Sequence, residues 1–138
     1  RFRSSKFLAF KLLAYRVFKK GSPIFKIIKF ASLSLNNHFK ELDTHLEGKV
    51  WIDGENFSLA DITWMVLFHR LSEVYLIDYF FDNKNNLKNY FERLKKRDSY
   101  QSALLDYTSD EIRAGKANLA FELENNKTLI SYYQTIKL

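Results

Sequence analysis

The chain has 138 residues, 46% of them hydrophobic and 17% aromatic, which is enough for one compact core and too few for two comfortable ones. One proline and four glycines are too few breakers for an all-β sandwich or barrel, and the absence of cysteine excludes disulfides, thiolate metal sites and a cysteine nucleophile. The net charge of +6 is uneven: residues 1–40 carry ten Lys or Arg and no acid, whereas the rest carries twelve basic against sixteen acidic residues.

The opening RFRSSKFLAFKLLAYRVFKK is basic, serine-containing and free of acid. That composition suits three roles: a first helix of the domain, an organelle transit peptide, or an amphipathic helix lying on anionic lipid. The first is the expected one, with a cytoplasmic protein and a mitochondrial location as the alternative. Apolar residues from Phe7 to Phe18 occupy most of a helix circumference, and Gly21, Ser22 and Pro23 stop that helix and start the next. Ile24, Ile28, Ala31, Leu35, Phe39, Leu42 and Leu46 then recur at steps of four and three, the stripe of a long helix packed along one side and ended by Gly48. Val50, Trp51 and Ile52 form a packed loop before the turn at Asp53 and Gly54.

In FSLADITWMVLF a serine stands three residues ahead of an aspartate. With Ser58 as N-cap, Asp61 is the third helical residue, and the two can satisfy each other's backbone donors as a capping box. Phe57 and Ile62 occupy the positions of a hydrophobic staple. A hydrolytic triad would need a histidine on the serine, and nothing in the sequence brings His38, His45 or His69 there. The helix is predicted from Leu59 to about Val74, and its WMVLF segment, apolar on every side, marks it as the central one. A looser aromatic segment, VYLIDYFFDNKNN, leads to an amphipathic helix through Leu87, Tyr90, Phe91 and Leu94, and then to a short one around Tyr100, Ala103 and Leu104. Ile112, Leu119, Ala120 and Leu123 support one more. No run approaches the ~20 apolar residues of a membrane span, so a soluble chain is expected.

His38, Glu41 and His45 share a helix face, but the histidines are about 10.5 Å apart along the axis, too far for one zinc ion, so no metal site is expected. His69 is expected to be a satisfied boundary histidine, and Arg70 to pair with a carboxylate such as Asp61 or Glu73. The basic first third could draw an anionic ligand or an acidic partner protein. Nucleic acid is disfavoured, because the apolar residues interleaved with those lysines have helical periodicity and are needed for a core.

Trp51-Ile52-Asp53-Gly54, Asn56-Phe57-Ser58-Leu59-Ala60-Asp61-Ile62, His69-Arg70-Leu71, and Asn89-Tyr90-Phe91-Glu92-Arg93-Leu94 with Arg97-Asp98-Ser99-Tyr100 together resemble the C-terminal helical domain of glutathione S-transferases. The match covers about residues 4–105, leaving 106–138 as a C-terminal extension. It is similar to the branch of bacterial transferase-like and ganglioside-induced differentiation-associated proteins. Asp98 departs from the pattern, which usually has proline there.

The resemblance implies an all-α bundle of about five to seven helices in one domain. It also implies that the glutathione site lies mainly in an N-terminal thioredoxin-like domain that these residues do not include, so glutathione is expected as a cofactor only where such a domain is joined to the chain. No residue of this chain is then catalytic. Phe7, Lys11, Tyr15 and Phe18 match the wall of the electrophile pocket, though core packing, or a solvated lysine, is the favoured reading of them. A homodimer is the further implication. The competing expectation is a non-catalytic module that holds partner proteins in a larger assembly.

Overall fold

The computed structural model describes residues 23–136. These form seven α-helices and one short π-helical segment, with no β-strand among the described residues. Two isolated bridges, Trp51 with Gly54 and Asp53 with Asn56, fold the connecting loop back on itself. The all-helical bundle agrees with the expected class.

Helix α1 (Pro23–His45) is 23 residues long. Among the described side chains of its stripe, Phe39, Leu42 and Leu46 toward the C-terminal end enter the core, while Ala31 near the middle is exposed. Gly48 adopts a φ of +70° just beyond, a conformation that favours glycine. Helix α2 (Leu59–Glu73) follows the loop and packs Met65, Phe68 and Leu71 inward.

One expectation is corrected here: α2 is not enclosed on all sides. Leu59, Ile62 and Val66, spaced three and four residues apart, form one exposed face, with Leu59 77% accessible. Burial of its opposite face is set by where neighbouring helices lie, which an apolar-all-round pattern does not reveal.

Helix α2 ends with Leu76 N–H donating to the Leu71 carbonyl at 2.9 Å and Tyr75 N–H to that of Ser72 at 3.3 Å, a Schellman arrangement. The left-handed position is held by Tyr75, with φ of 57°, where a glycine would be the unstrained choice. The short helix α3 (Ile77–Phe80) then places Phe80 and Phe81 in the core.

Helix α4 (Asn85–Lys95) buries Leu87, Tyr90, Phe91 and Leu94, the amphipathic pattern of its sequence. Its N-cap is Lys84, whose side chain cannot accept a hydrogen bond. The missing acceptor comes from α1: Asp43 Oδ1 takes the Leu87 N–H at 2.8 Å. Asn86 also donates to the Asp43 carbonyl at 3.0 Å, so the same junction joins the two helices twice.

Helix α5 (Asp98–Tyr100) runs directly into the π-helical segment Gln101–Leu105. Beyond it, α6 (Asp110–Asn125), capped by Ser109, and α7 (Lys127–Ile136) make two helices where the sequence pattern indicated one. Phe39 is the hub of the core, with ring centroids of Phe68 and Phe80 at 5.6 Å and of Trp64 and Phe81 at 5.8 Å. Most of these pairs are edge-to-face, the arrangement favoured by the ring quadrupoles.

Candidate functional site

Asp61 is fully buried, and four donors converge on its carboxylate. Ser58 N–H donates to Oδ2 at 2.7 Å, which is the return arm of a capping box, and the Ser58 hydroxyl donates to the same oxygen at 3.0 Å. The Ser58 side chain also faces the Asp61 backbone N–H in the capping-box arrangement. The other oxygen receives the Ile52 N–H at 3.0 Å and the Tyr90 hydroxyl at 2.6 Å. Burial by itself pushes the Asp61 pKa up, but these hydrogen bonds together outweigh it and hold the carboxyl below its ordinary value. Tyr90 is raised in turn, by burial first and then by its bond to this anion. A carboxylate so fully engaged has no lone pair to offer a substrate, so the node is architectural.

Phe57 packs edge-on against Trp51 at 5.1 Å, and the Arg97 guanidinium sits 3.6 Å above the Phe57 ring. Ile62, its partner position in a staple, is 40% accessible. Phe7, Lys11, Tyr15 and Phe18 lie outside the described residues. His38 faces Glu41 at 3.5 Å on an open surface, and His45 Nε2 donates to the Ile52 carbonyl at 2.8 Å.

A second polar cluster lies at the other end of α2. His69 is buried, and its Nδ1 accepts from the Tyr100 hydroxyl at 2.8 Å. That leaves the proton of the neutral ring on Nε2, which faces Glu73 Oε1 at 3.4 Å. Arg70 does pair with Glu73, its Nη1 lying 2.7 Å from Oε2. Oε1 is buried, and the long contact from His69 Nε2 is the hydrogen-bond contact it has among the described residues. Burial is the main influence on the imidazole and lowers its pKa; Glu73 opposes this, while Arg70 and Lys116 reinforce it. Tyr100 is raised, chiefly by burial.

His69 and Glu73 of this cluster line a cleft of about 350 Å³ between α2, the π-helical segment and α6. Leu105 and Ile112 supply apolar wall, and Arg113 and Lys116 supply positive charge. The Lys116 ammonium lies 5.6 Å from the centroid of Tyr75, the strained residue that ends α2. Sequence reasoning isolated His69 and Arg70 but missed the cleft, because Tyr100 is 31 residues from His69 and α6 was only faintly patterned. The pairing of Arg70 with Glu73, three residues apart, was the readable part of it.

Fold and geometry together define an all-helical bundle assembled around one internally capped helix. No family model matches the chain, and no solved structure does. Two proteins are similar to part of it. A tetrachloro-p-hydroquinone reductive dehalogenase of Sphingobium chlorophenolicum is 38% identical over 73 residues, covering 53% of this chain and 29% of that protein. The Arabidopsis thaliana glutathione S-transferase TCHQD is 31% identical over 67 residues, covering 49% of this chain and 25% of that protein. The chain therefore matches less than a third of either relative's length.

Proposed function

We propose that this chain is the C-terminal helical portion of a glutathione-transferase-type protein, forming one wall of a hydrophobic electrophile site beside a glutathione-binding domain. The observation that carries this reading is the similarity to a named glutathione S-transferase and to a dehalogenase of a chlorinated hydroquinone. In such a protein the other domain stabilises the glutathione thiolate, which adds to the electrophile. This chain contributes shape and apolar surface, with Phe7, Lys11, Tyr15 and Phe18 as the proposed lining. The Asp61 node supports the role indirectly, since a rigid wall keeps the electrophile oriented toward the thiolate.

The test is to extend the chain by the coding sequence upstream of Arg1, purify the product, and measure conjugation of glutathione to 1-chloro-2,4-dinitrobenzene. Conjugation together with retention on immobilised glutathione is the expected result. A translation start close to Arg1, or an extended product with neither property, overturns the proposal.

The exposed face of α2 made by Leu59, Ile62 and Val66, with Ile27 and Phe30 exposed on α1, favours a second reading. There the domain is a non-catalytic module that holds a partner protein, with the basic N-terminal third steering an acidic partner. A stable complex with an acidic protein that dissociates as salt is raised would support it.

A further inference from the structure

Helix α1 presents outward a stripe on which lysines alternate with large apolar residues. At about 3.6 residues per turn, Lys26, Lys29, Phe30, Leu33, Asn37 and Lys40 fall within about 100° of the helix circumference. All six are exposed, Phe30 at 74% and Leu33 at 40%. Leu35, Phe39 and Leu42 lie on the opposite side, where Phe39 and Leu42 enter the core and Leu35 packs against it. The stripe therefore points away from the bundle.

No acid lies on this stripe. Among the described residues none of its three lysines forms an ion pair, and the first carboxylate in the sequence, Glu41, turns to His38 at 3.5 Å. Residues 1–22, which lead into the helix, add seven Lys or Arg and again no acid. As the outer side of a single helix the stripe is convex, and the clefts of about 350 Å³ and 340 Å³ are lined by other elements.

We propose that this stripe of α1 docks the protein on an anionic lipid surface, with Phe30 and Leu33 entering the headgroup layer and Lys26, Lys29 and Lys40 meeting the lipid anions. A bilayer accepts a convex apolar face without a matching groove, and its negative surface potential complements an acid-free run of lysines. The lysine stems cover apolar surface while their ammonium groups stay with the headgroups, so both residue types on the stripe are used at once. A polyanion alone, whether nucleic acid or an acidic tail, would engage the lysines and leave Phe30 in water. Docking is peripheral, because no described helix is long and apolar enough to cross a membrane. This inference rests on neither functional reading: it uses no glutathione, and the open face of α2 stays available to a partner protein.

The test is co-sedimentation of the full chain with vesicles of phosphatidylcholine alone and of phosphatidylcholine with about 30% phosphatidylserine. Saturable binding to the anionic vesicles only, weakening as salt is raised, is expected. Lys26→Gln with Lys29→Gln should lower that affinity at least about tenfold, since each basic residue near such a surface is worth about fivefold. Phe30→Ala with Leu33→Ala should lower it at least about fivefold through lost apolar burial. All four positions are exposed, so circular dichroism should show the fold unchanged in both variants. Absence of binding to anionic vesicles, equal binding to neutral ones, or anionic binding that survives both double substitutions would each overturn the proposal. Capture of polyglutamate without vesicle binding would assign the stripe to an acidic protein instead and overturn it as well.

Discussion

Asp61 shows how much a single buried carboxylate can organise. Its neighbours in sequence supply two of its donors and residues 9 and 29 positions away supply the others, so its removal should cost far more than loss of a helix cap alone. Ser58→Ala deletes one hydroxyl and leaves the backbone bond in place, so about 0.5–2 kcal/mol is expected. Asp61→Ala strands the Tyr90 hydroxyl and the Ile52 N–H in the interior and should cost about 3–5 kcal/mol. Urea midpoints of the two variants, read by circular dichroism, check the ratio; equal losses would mean the node is only a cap.

The same residues set a pH profile. The folded-state pKa of Asp61 lies below the unfolded value, so its contribution is fully present above about 3.8 and is lost as pH falls through the folded pKa. His69 is also depressed, and the unfolded chain binds its proton more readily than the folded one. Its effect therefore begins earlier, with stability falling as pH drops below about 6.5. Denaturant melts across this range should show a mild decline starting near neutrality, reduced in His69→Gln, and a steeper one at acid pH, absent in Asp61→Asn.

At the scale of elements, the helices hold one another by lending what each lacks. Helix α4 has a lysine at its N-cap and borrows the missing acceptor from Asp43 in α1, which takes the N–H of Leu87, 44 residues away. Arg93 of α4 reaches back to the Val50 carbonyl at 3.0 Å, and Lys84 Nζ donates to Asn36 Oδ1 at 2.9 Å, so α4 is tied to α1 and the following loop at three places. Asp43→Ala should therefore destabilise the protein by about 1–2 kcal/mol, the value of a local cap, although nothing near Lys84 in sequence changes. Hydrogen exchange should localise the effect to the first turn of α4. Protection lost uniformly along the chain would argue against it.

For the molecule as a whole, stability concentrates in the aromatic cluster around Phe39 and not along the exposed flanks. Phe39 is fully buried among Trp64, Phe68, Phe80 and Phe81, and Phe39→Ala should cost about 3–5 kcal/mol through lost burial and an unfilled cavity. Leu59→Ser, on the open face of α2, should change stability by less than about 0.5 kcal/mol. Thermal melts of the two variants give the comparison, and a large loss at Leu59 would show that this face is already covered in the isolated chain. The same face is where the two functional readings divide, since it can receive another domain or another protein.

The sequence by itself determined what depends on neighbours within a turn or two. Ser58 and Asp61 read as reciprocal caps because helix geometry brings residues three apart together, and α4 was legible because its four buried residues repeat with the helical period. Only the tertiary structure decided the rest. Tyr90 reaching Asp61, Tyr100 orienting His69, Asp43 capping α4 and the cleft beneath α6 all join residues dozens of positions apart, and no local pattern encodes which distant partner will arrive. The open face of α2 belongs with these, because apolar composition states that burial is favourable and the packing of the other helices decides which side receives it.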